Sequence, residues 1–141
     1  TTPPIQDPPV VNQNIVESSN GDTSSHVDSR RGTNCQGCHK TGLVSPVFTV
    51  AGTVFKTSNL TQVQPNIQVE FYSSAAGTGN PVEVIEVDAN GNFYTTENLT
   101  LTGLFPAVRS ATEKRMMPID FQNGQCNDCH DGSPQVVINV N

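Results

Sequence analysis

Two pentapeptides hold most of the chemistry open to this chain: Cys-Gln-Gly-Cys-His at 35–39 and Cys-Asn-Asp-Cys-His at 126–130, which together use all four cysteines. In each, two residues separate the cysteines and a histidine follows at once. With only 3 histidines in 141 residues, chance would place one after both pairs in roughly one such chain in two thousand. Two cysteine pairs would first suggest disulfides if the chain is exported, but the repeated spacing and the following histidine speak against them. A four-cysteine zinc site is the next rival. Zinc ribbons, however, set their pairs roughly 15–20 residues apart, whereas most of the chain lies between Cys38 and Cys126. A redox dithiol needs one pair and a βαβ setting, and the latter is missing here. Covalent haem attachment uses both cysteines and the histidine. Cys35 and Cys38 would form thioethers to one porphyrin, with His39 as the proximal iron ligand. Cys126, Cys129 and His130 would do the same for a second. Two c-type haems are therefore the expected cofactors, with zinc and disulfides as the rivals.

Two six-coordinate haems need four axial ligands, and the chain has three histidines. His26 is the one imidazole outside the two motifs. In most proteins it would read as an exposed loop histidine in a Ser-rich stretch; here it is expected to ligate an iron. It precedes Cys35 by nine residues, enough chain to curl over its own haem. The arm that carries it is also long enough to reach the second haem or one in a neighbouring subunit. Met117 precedes Cys126 by the same nine residues and is the candidate fourth ligand, with Met116 beside it. Met opposite His raises a haem's potential relative to two histidines. The alternatives are that both methionines only pack, that the Thr1 amine ligates, or that one position is open.

The elements that must position these residues fall into four stretches. Residues 1–34 form a polar arm with four prolines, too poor in apolar residues to offset its ordering entropy alone. By itself it reads as a linker; if ordered, its own domain, a cofactor or a neighbouring subunit must hold it. Residues 35–46 are the first haem-attachment segment. Residues 47–110 read as β structure. "VFTVAGTVFKT" is apolar-rich, and "IQVEFYSS" sets Ile67, Val69 and Phe71 on one face against Gln68, Glu70 and Tyr72 on the other. "VEVIEV" follows, and the Asn90-Gly91 pair in "DANGNFYTT" predicts a tight hairpin turn. Residues 111–141 hold the second attachment segment and an apolar tail, "VVINV", suited to adding a strand to this sheet or to another subunit's. The predicted fold is mainly β, a small antiparallel β-sandwich flanked by loop-rich haem-binding segments, with little helix.

With these motifs and strands, the sequence resembles the multihaem c-type cytochromes of secreted and surface electron-transfer systems. Its middle is similar to a carboxypeptidase-regulatory-like (prealbumin-like) β-sandwich, through "AGTVFKT", "IQVEFYSS" and "DANGNFYTT". The N-terminal arm lies outside the resemblance. The resemblance implies haem attachment outside the cytoplasm, at the cell surface or beyond it, with the periplasm as the alternative. An opening Thr1 in place of Met fits a processed N-terminus of an exported protein.

Composition limits the rest. Hydrophobic residues make up 34% of the chain and charged residues 14%, with no Trp, enough for one small core but not for an enzyme-sized cleft. A net charge of -6 argues against nucleic acid and anionic membrane as partners, and no run approaches the roughly 18 apolar residues of a membrane span. Asn59-Leu60-Thr61 and Asn98-Leu99-Thr100 match a glycosylation pattern but arise easily in so Asn- and Thr-rich a chain. Asp88, Asn90 and Asn92 open like a calcium loop without its downstream Glu. Arg30, Arg31 and Lys40 suit haem propionates or solvent equally. No Ser/His/Asp triad is available once the histidines serve iron.

The expected function is electron transfer, not catalysis, with other redox proteins or an extracellular acceptor as partners. An arm held in place, the apolar tail and the missing fourth ligand suggest polymerisation into a conducting filament. The alternatives are a soluble periplasmic shuttle, a small peroxidase- or reductase-type haem enzyme with an open site, and an adhesive module in which the haems are incidental.

Overall fold

The computed structural model describes residues 15–27, 35–40, 42–43, 45–57, 59–117, 126 and 138–140. It is mainly β: β1 (Val50–Thr53), β2 (Phe55–Lys56), β3 (Asn59–Val63), β4 (Gln68–Tyr72), β5 (Glu83–Glu86), β6 (Asn92–Thr95), β7 (Phe105–Arg109), β8 (Lys114–Met116) and β9 (Asn139–Val140), preceded by a 3-10 turn at Cys35–Gly37. Three sheets form a small sandwich. One sheet runs β5-β4-β7-β8, all antiparallel; β1 pairs antiparallel with β6; β2 lies between β3 and β9.

The alternation in the sequence sets which side chains meet between the layers. Val69 and Phe71 of β4, Ile85 of β5 and Val108 of β7 point inward, where they join Val50, Val54, Val87, Phe93 and Val140 in one buried cluster. Val84, one residue from Ile85, faces out. Each buried large side chain stabilises the fold by roughly 1.5–3 kcal/mol, so this cluster is the frame on which the loops are built.

Strand pairing extends past residue 110, because β8 adds to β7. The apolar tail pairs within its own chain, β9 running parallel to β2. The turn at "DANGN" is tight but closes no hairpin. β5 pairs with β4 and β6 pairs with β1, so the turn carries the chain from one sheet to the other. Asp88 N–H donates to Asn92 O at 2.9 Å, and Gly91 takes a φ of 82° with no room for a Cβ beside Val63, a position that requires glycine.

The second face of β4 is also buried, although it carries Glu70. Tyr72 Oη donates to Glu70 Oε1 at 2.6 Å, Arg109 Nε donates to the same oxygen at 2.8 Å, and Gln68 Nε2 donates to Oε2 at 2.5 Å. Lys114 Nζ lies 4.6 Å from the centre of the Tyr72 ring and donates to Gly77 O. Burial pushes the Glu70 carboxyl up, but the hydrogen bonds from Tyr72, Arg109 and Gln68, with the Arg109 charge, outweigh it and hold the group below its ordinary value. A carboxylate lowered in the folded state adds stability above its unfolded pKa of about 4.3, and that stability is lost as pH falls through the lower folded value. Glu70→Gln is expected to cost about 1–3 kcal/mol at neutral pH. Denaturant titrations should show this gap narrowing below about pH 4; a gap independent of pH would contradict an ionised Glu70.

Candidate functional site

The first Cys-x-x-Cys-His motif folds into a single turn. Cys38 N–H and His39 N–H both donate to Cys35 O, at 3.2 and 2.9 Å, which brings residues 35, 38 and 39 to one side of the turn. Gln36 ties the turn to the chain leading into β1, its Nε2 donating to Phe48 O and to Thr49 O. Phe48 N–H closes the loop on His39 O at 3.4 Å. The His39 ring is oriented by two contacts: it lies 4.5 Å from the Phe48 ring, which lies 5.0 Å from Tyr94, and its Nδ1 is 2.9 Å from Pro46 O. A carbonyl oxygen only accepts, so Nδ1 carries a hydrogen, and in the neutral ring Nε2 is the nitrogen with the lone pair. This is the arrangement metal-bound histidines use.

The N-terminal arm brings in the second imidazole. Glu17 bridges Thr95 antiparallel, flanked by Thr96 N–H to Val16 O and Ser18 N–H to Tyr94 O, both 2.9 Å. Thr95 O accepts from Thr49 on the β1 side, so the arm occupies the opposite edge of β6. Ser18, 3% exposed, also donates to Glu86 O at 2.6 Å and accepts from Tyr94 N–H at 2.9 Å. Of the holders weighed for the arm, its own domain holds residues 15–27. Further along, Ala89 N–H donates to Asp22 O at 2.9 Å. Ser25 Oγ donates to Asp88 Oδ2 at 2.5 Å, and Asn92 Nδ2 donates to Ser25 Oγ and to His26 O, at 2.9 and 2.8 Å. His26 thus arrives with its ring centroid 6.2 Å from that of His39, the planes inclined by 44°.

Both imidazoles line an open cleft of about 270 Å³. Cys35, Cys38, His26 and His39 all line it, with apolar walls from Val16, Pro46, Phe48, Ala51, Phe93 and Tyr94 and a polar edge of Ser24, Ser25 and Asn92. Cys38 is exposed; Cys35 is half-buried, and burial pushes its thiol up, the opposite of the lowered thiol of a redox dithiol. Burial, then the charges of Asp22 and Asp88, pushes the Tyr94 phenol up, so it stays neutral.

The spacing admits a simple metal test. A metal–imidazole bond of about 2.0–2.1 Å and a ring radius of about 1.1 Å would put two imidazoles on opposite sides of one metal, in a straight line through it, with centroids about 6.2–6.4 Å apart; a tetrahedral metal would need them about 1 Å closer. His26 and His39 meet that spacing, and the inclination between them is free because each ring turns about its own metal–nitrogen axis. Among the described residues no group of three or more His, Cys, Asp or Glu side chains could hold a metal ion. The pair therefore suits a metal that brings its remaining ligands with it, and two cysteines on the same cleft suit a group anchored by thioethers. The residues of the first motif fit the expected haem.

The other expected site residues are placed as follows. Cys126 is partly buried against the core; Cys129, His130, Arg30 and Arg31 lie outside the described residues. Met116 ends β8 with its thioether against Gly77. Met117 is partly buried and donates its N–H to Pro106 O at 2.9 Å. Lys40 is exposed next to His39. Asp88, Asn90 and Asn92 were expected only to make a turn; their side chains also clasp the arm. Their amide and carboxylate groups, spaced as in a polar turn, were the available signal. Compared with known proteins, the chain matches no family model, no curated protein and no solved structure.

If Ser18 docks the arm, Ser18→Ala should cost about 1–2 kcal/mol and leave two part-buried backbone groups, Glu86 O and Tyr94 N–H, without the Ser18 hydroxyl. Amide exchange at Tyr94 should then accelerate; unchanged exchange there would contradict the docking.

Proposed function

We propose that the protein is an exported dihaem c-type cytochrome that carries electrons outside the cytoplasm. One observation carries this reading: both cysteines of the first motif, its histidine and the one histidine outside the motifs line a single apolar-walled cleft, with the imidazoles spaced for one metal. Cys35 and Cys38 would hold the first haem by thioethers, with His39 and His26 of the same chain as the imidazoles for its iron. Cys126, Cys129 and His130 would hold the second, with Met117 as the candidate further ligand. When bound, haem supplies a reversible one-electron couple.

The chain's own residues set how that couple is used. With haem bound, His26 and His39 would leave its iron no open position in the first site, which would favour electron transfer over reaction with peroxide, nitrite or a small gas. Val16, Phe48 and Phe93 keep water from part of the cleft and lower its dielectric. Two imidazoles give a lower potential than His with Met, so Met ligation at the second site would make the pair unequal.

No helix among the described residues is long and apolar enough to cross a membrane. Polymerisation into a conducting filament was expected from the arm and the tail. Their described parts pair with β6 and β2 of their own chain, so the reading put forward here is the electron carrier, with filament assembly as its extension. Electron microscopy of the native preparation tests the extension: filaments support it, and discrete particles at high concentration overturn it.

Haem content tests the function itself. Pyridine haemochrome and intact mass should report two covalent haems per chain in the exported protein, and Cys35→Ser with Cys38→Ser should remove one. Zinc or a mass without haem would overturn the reading. His26→Ala should keep both haems while the ferrous protein gains rapid carbon monoxide binding at one of them. An oxidised spectrum lacking the far-red methionine–iron band would remove Met117 from the second site.

A further inference from the structure

The turn at 88–92 is built to do more than reverse the chain. Asp88 is fully buried and saturated: Oδ1 accepts from Asn90 N–H at 2.9 Å and Asn92 N–H at 3.0 Å, and Oδ2 accepts the Ser25 hydroxyl at 2.5 Å. Asn90 Nδ2 donates to Ser25 O at 3.0 Å. Asn92 is 8% exposed; its Oδ1 accepts from Thr53 Oγ1 at 2.8 Å, while its Nδ2 reaches Ser25 Oγ and His26 O. Three side chains of one turn thus converge on two consecutive residues of an arm more than sixty positions away, and one of the two is His26.

His26 itself is exposed, and so is Val27 after it. Nothing in local propensity fixes the backbone of a Ser-rich stretch, which would sample many conformations if left to itself. The bonds to Ser25 and to the His26 carbonyl remove that freedom at the residue where it matters. They fix the backbone from which the ring reaches toward His39. Thr53 links the same network to β1, the strand whose approach carries the first motif. One hydrogen-bonded unit therefore spans the supports of both imidazoles.

We propose that Asp88, Asn92 and Ser25 are positioning residues for the distal ligand, so that the axial coordination of the first site is set by a turn that never touches the metal. The inference rests on the haem reading of the cleft and deepens it: the distal position is defined by tertiary hydrogen bonds, with no help from residues of the motif. A lone histidine on a free arm would let the iron exchange its sixth ligand; a clasped one holds it.

The test uses the full-length exported protein carrying both haems. Asn92→Asp replaces the two amide donors with a carboxylate facing the His26 carbonyl. Ser25→Ala removes the hydroxyl from the exposed arm and leaves the strands intact, so it also serves if Asn92→Asp fails to fold. Ser25→Thr keeps the hydroxyl as the conservative control. Four quantities are read: covalent haem by mass, the high-spin fraction of the ferric spectrum, the rate of carbon monoxide uptake by the ferrous protein, and recovery of the low-spin spectrum on adding free imidazole. In Asn92→Asp and Ser25→Ala we expect two haems per chain, a high-spin fraction above that of the parent, carbon monoxide uptake approaching that of His26→Ala, and recovery with imidazole. Ser25→Thr should behave as the parent. Parent-like spectra and uptake in Ser25→Ala, with His26→Ala reactive, would overturn the positioning role and leave the haem reading standing. Absence of covalent haem on Cys35 and Cys38 in the parent would overturn the haem reading and this inference with it.

Discussion

The β1–β6 ladder is the constraint on which the site depends. Its register, Val50 opposite Thr95 and Thr53 opposite Asn92, fixes the distance between two segments that would otherwise move independently. The Cys35–Gly37 turn is bound to the residues leading into β1 through Gln36. The arm is bound to the far edge of β6 through Ser18, and to the start of β6 through Asn92. Each imidazole is therefore referenced to a different strand of the same ladder, and the 6.2 Å between them follows from strand pairing rather than from any contact between the loops. Ladder bonds and a buried core are the stiffest parts of a small domain, which suits a metal spacing that tolerates only tenths of an ångström.

The same construction explains how a chain with so small a core can support the cleft. Phe93 belongs to the buried cluster and also lines the cleft, so the wall of the site is the outer surface of the core itself. Phe48 and Tyr94 extend that wall in a stack that ends on the His39 ring. Pro46 adds to the apolar wall, and its carbonyl oxygen decides which nitrogen of His39 is free to bind. Backbone groups and aromatic faces do here what a larger protein would assign to a second layer of side chains.

Much of this was legible in the residues. The spacing of the two pentapeptides led to the haem proposal, and counting axial positions for two proposed haems singled out His26, which the structure places 6.2 Å from His39. The alternation at 67–72 gave β4 its inward face. What was not legible is non-local. Nothing near Glu70 in sequence tells that Arg109 of β7 pairs with it while Lys114 of β8 lies over Tyr72, which together make a second buried face. The Asn90-Gly91 pair correctly implied a tight turn, since only local torsions are needed for that. It could not reveal that the flanking strands part to different sheets, which depends on what each strand pairs with. The polar arm looked like a linker because its apolar content is low; its docking uses backbone and hydroxyl hydrogen bonds to β6, which hydrophobic patterning does not register. The histidine and second cysteine of the second motif, Cys129 and His130, fall outside the described residues, so the expectation for that site rests on its sequence alone.

Low-temperature electron paramagnetic resonance of the ferric protein tests the central claim most directly, because the low-spin signal reports the pair of axial ligands on each iron. The account predicts one signal characteristic of two imidazoles, present in the parent and replaced by a high-spin signal in His26→Ala. A parent spectrum without a two-imidazole signal, or one that survives the loss of His26, would contradict it.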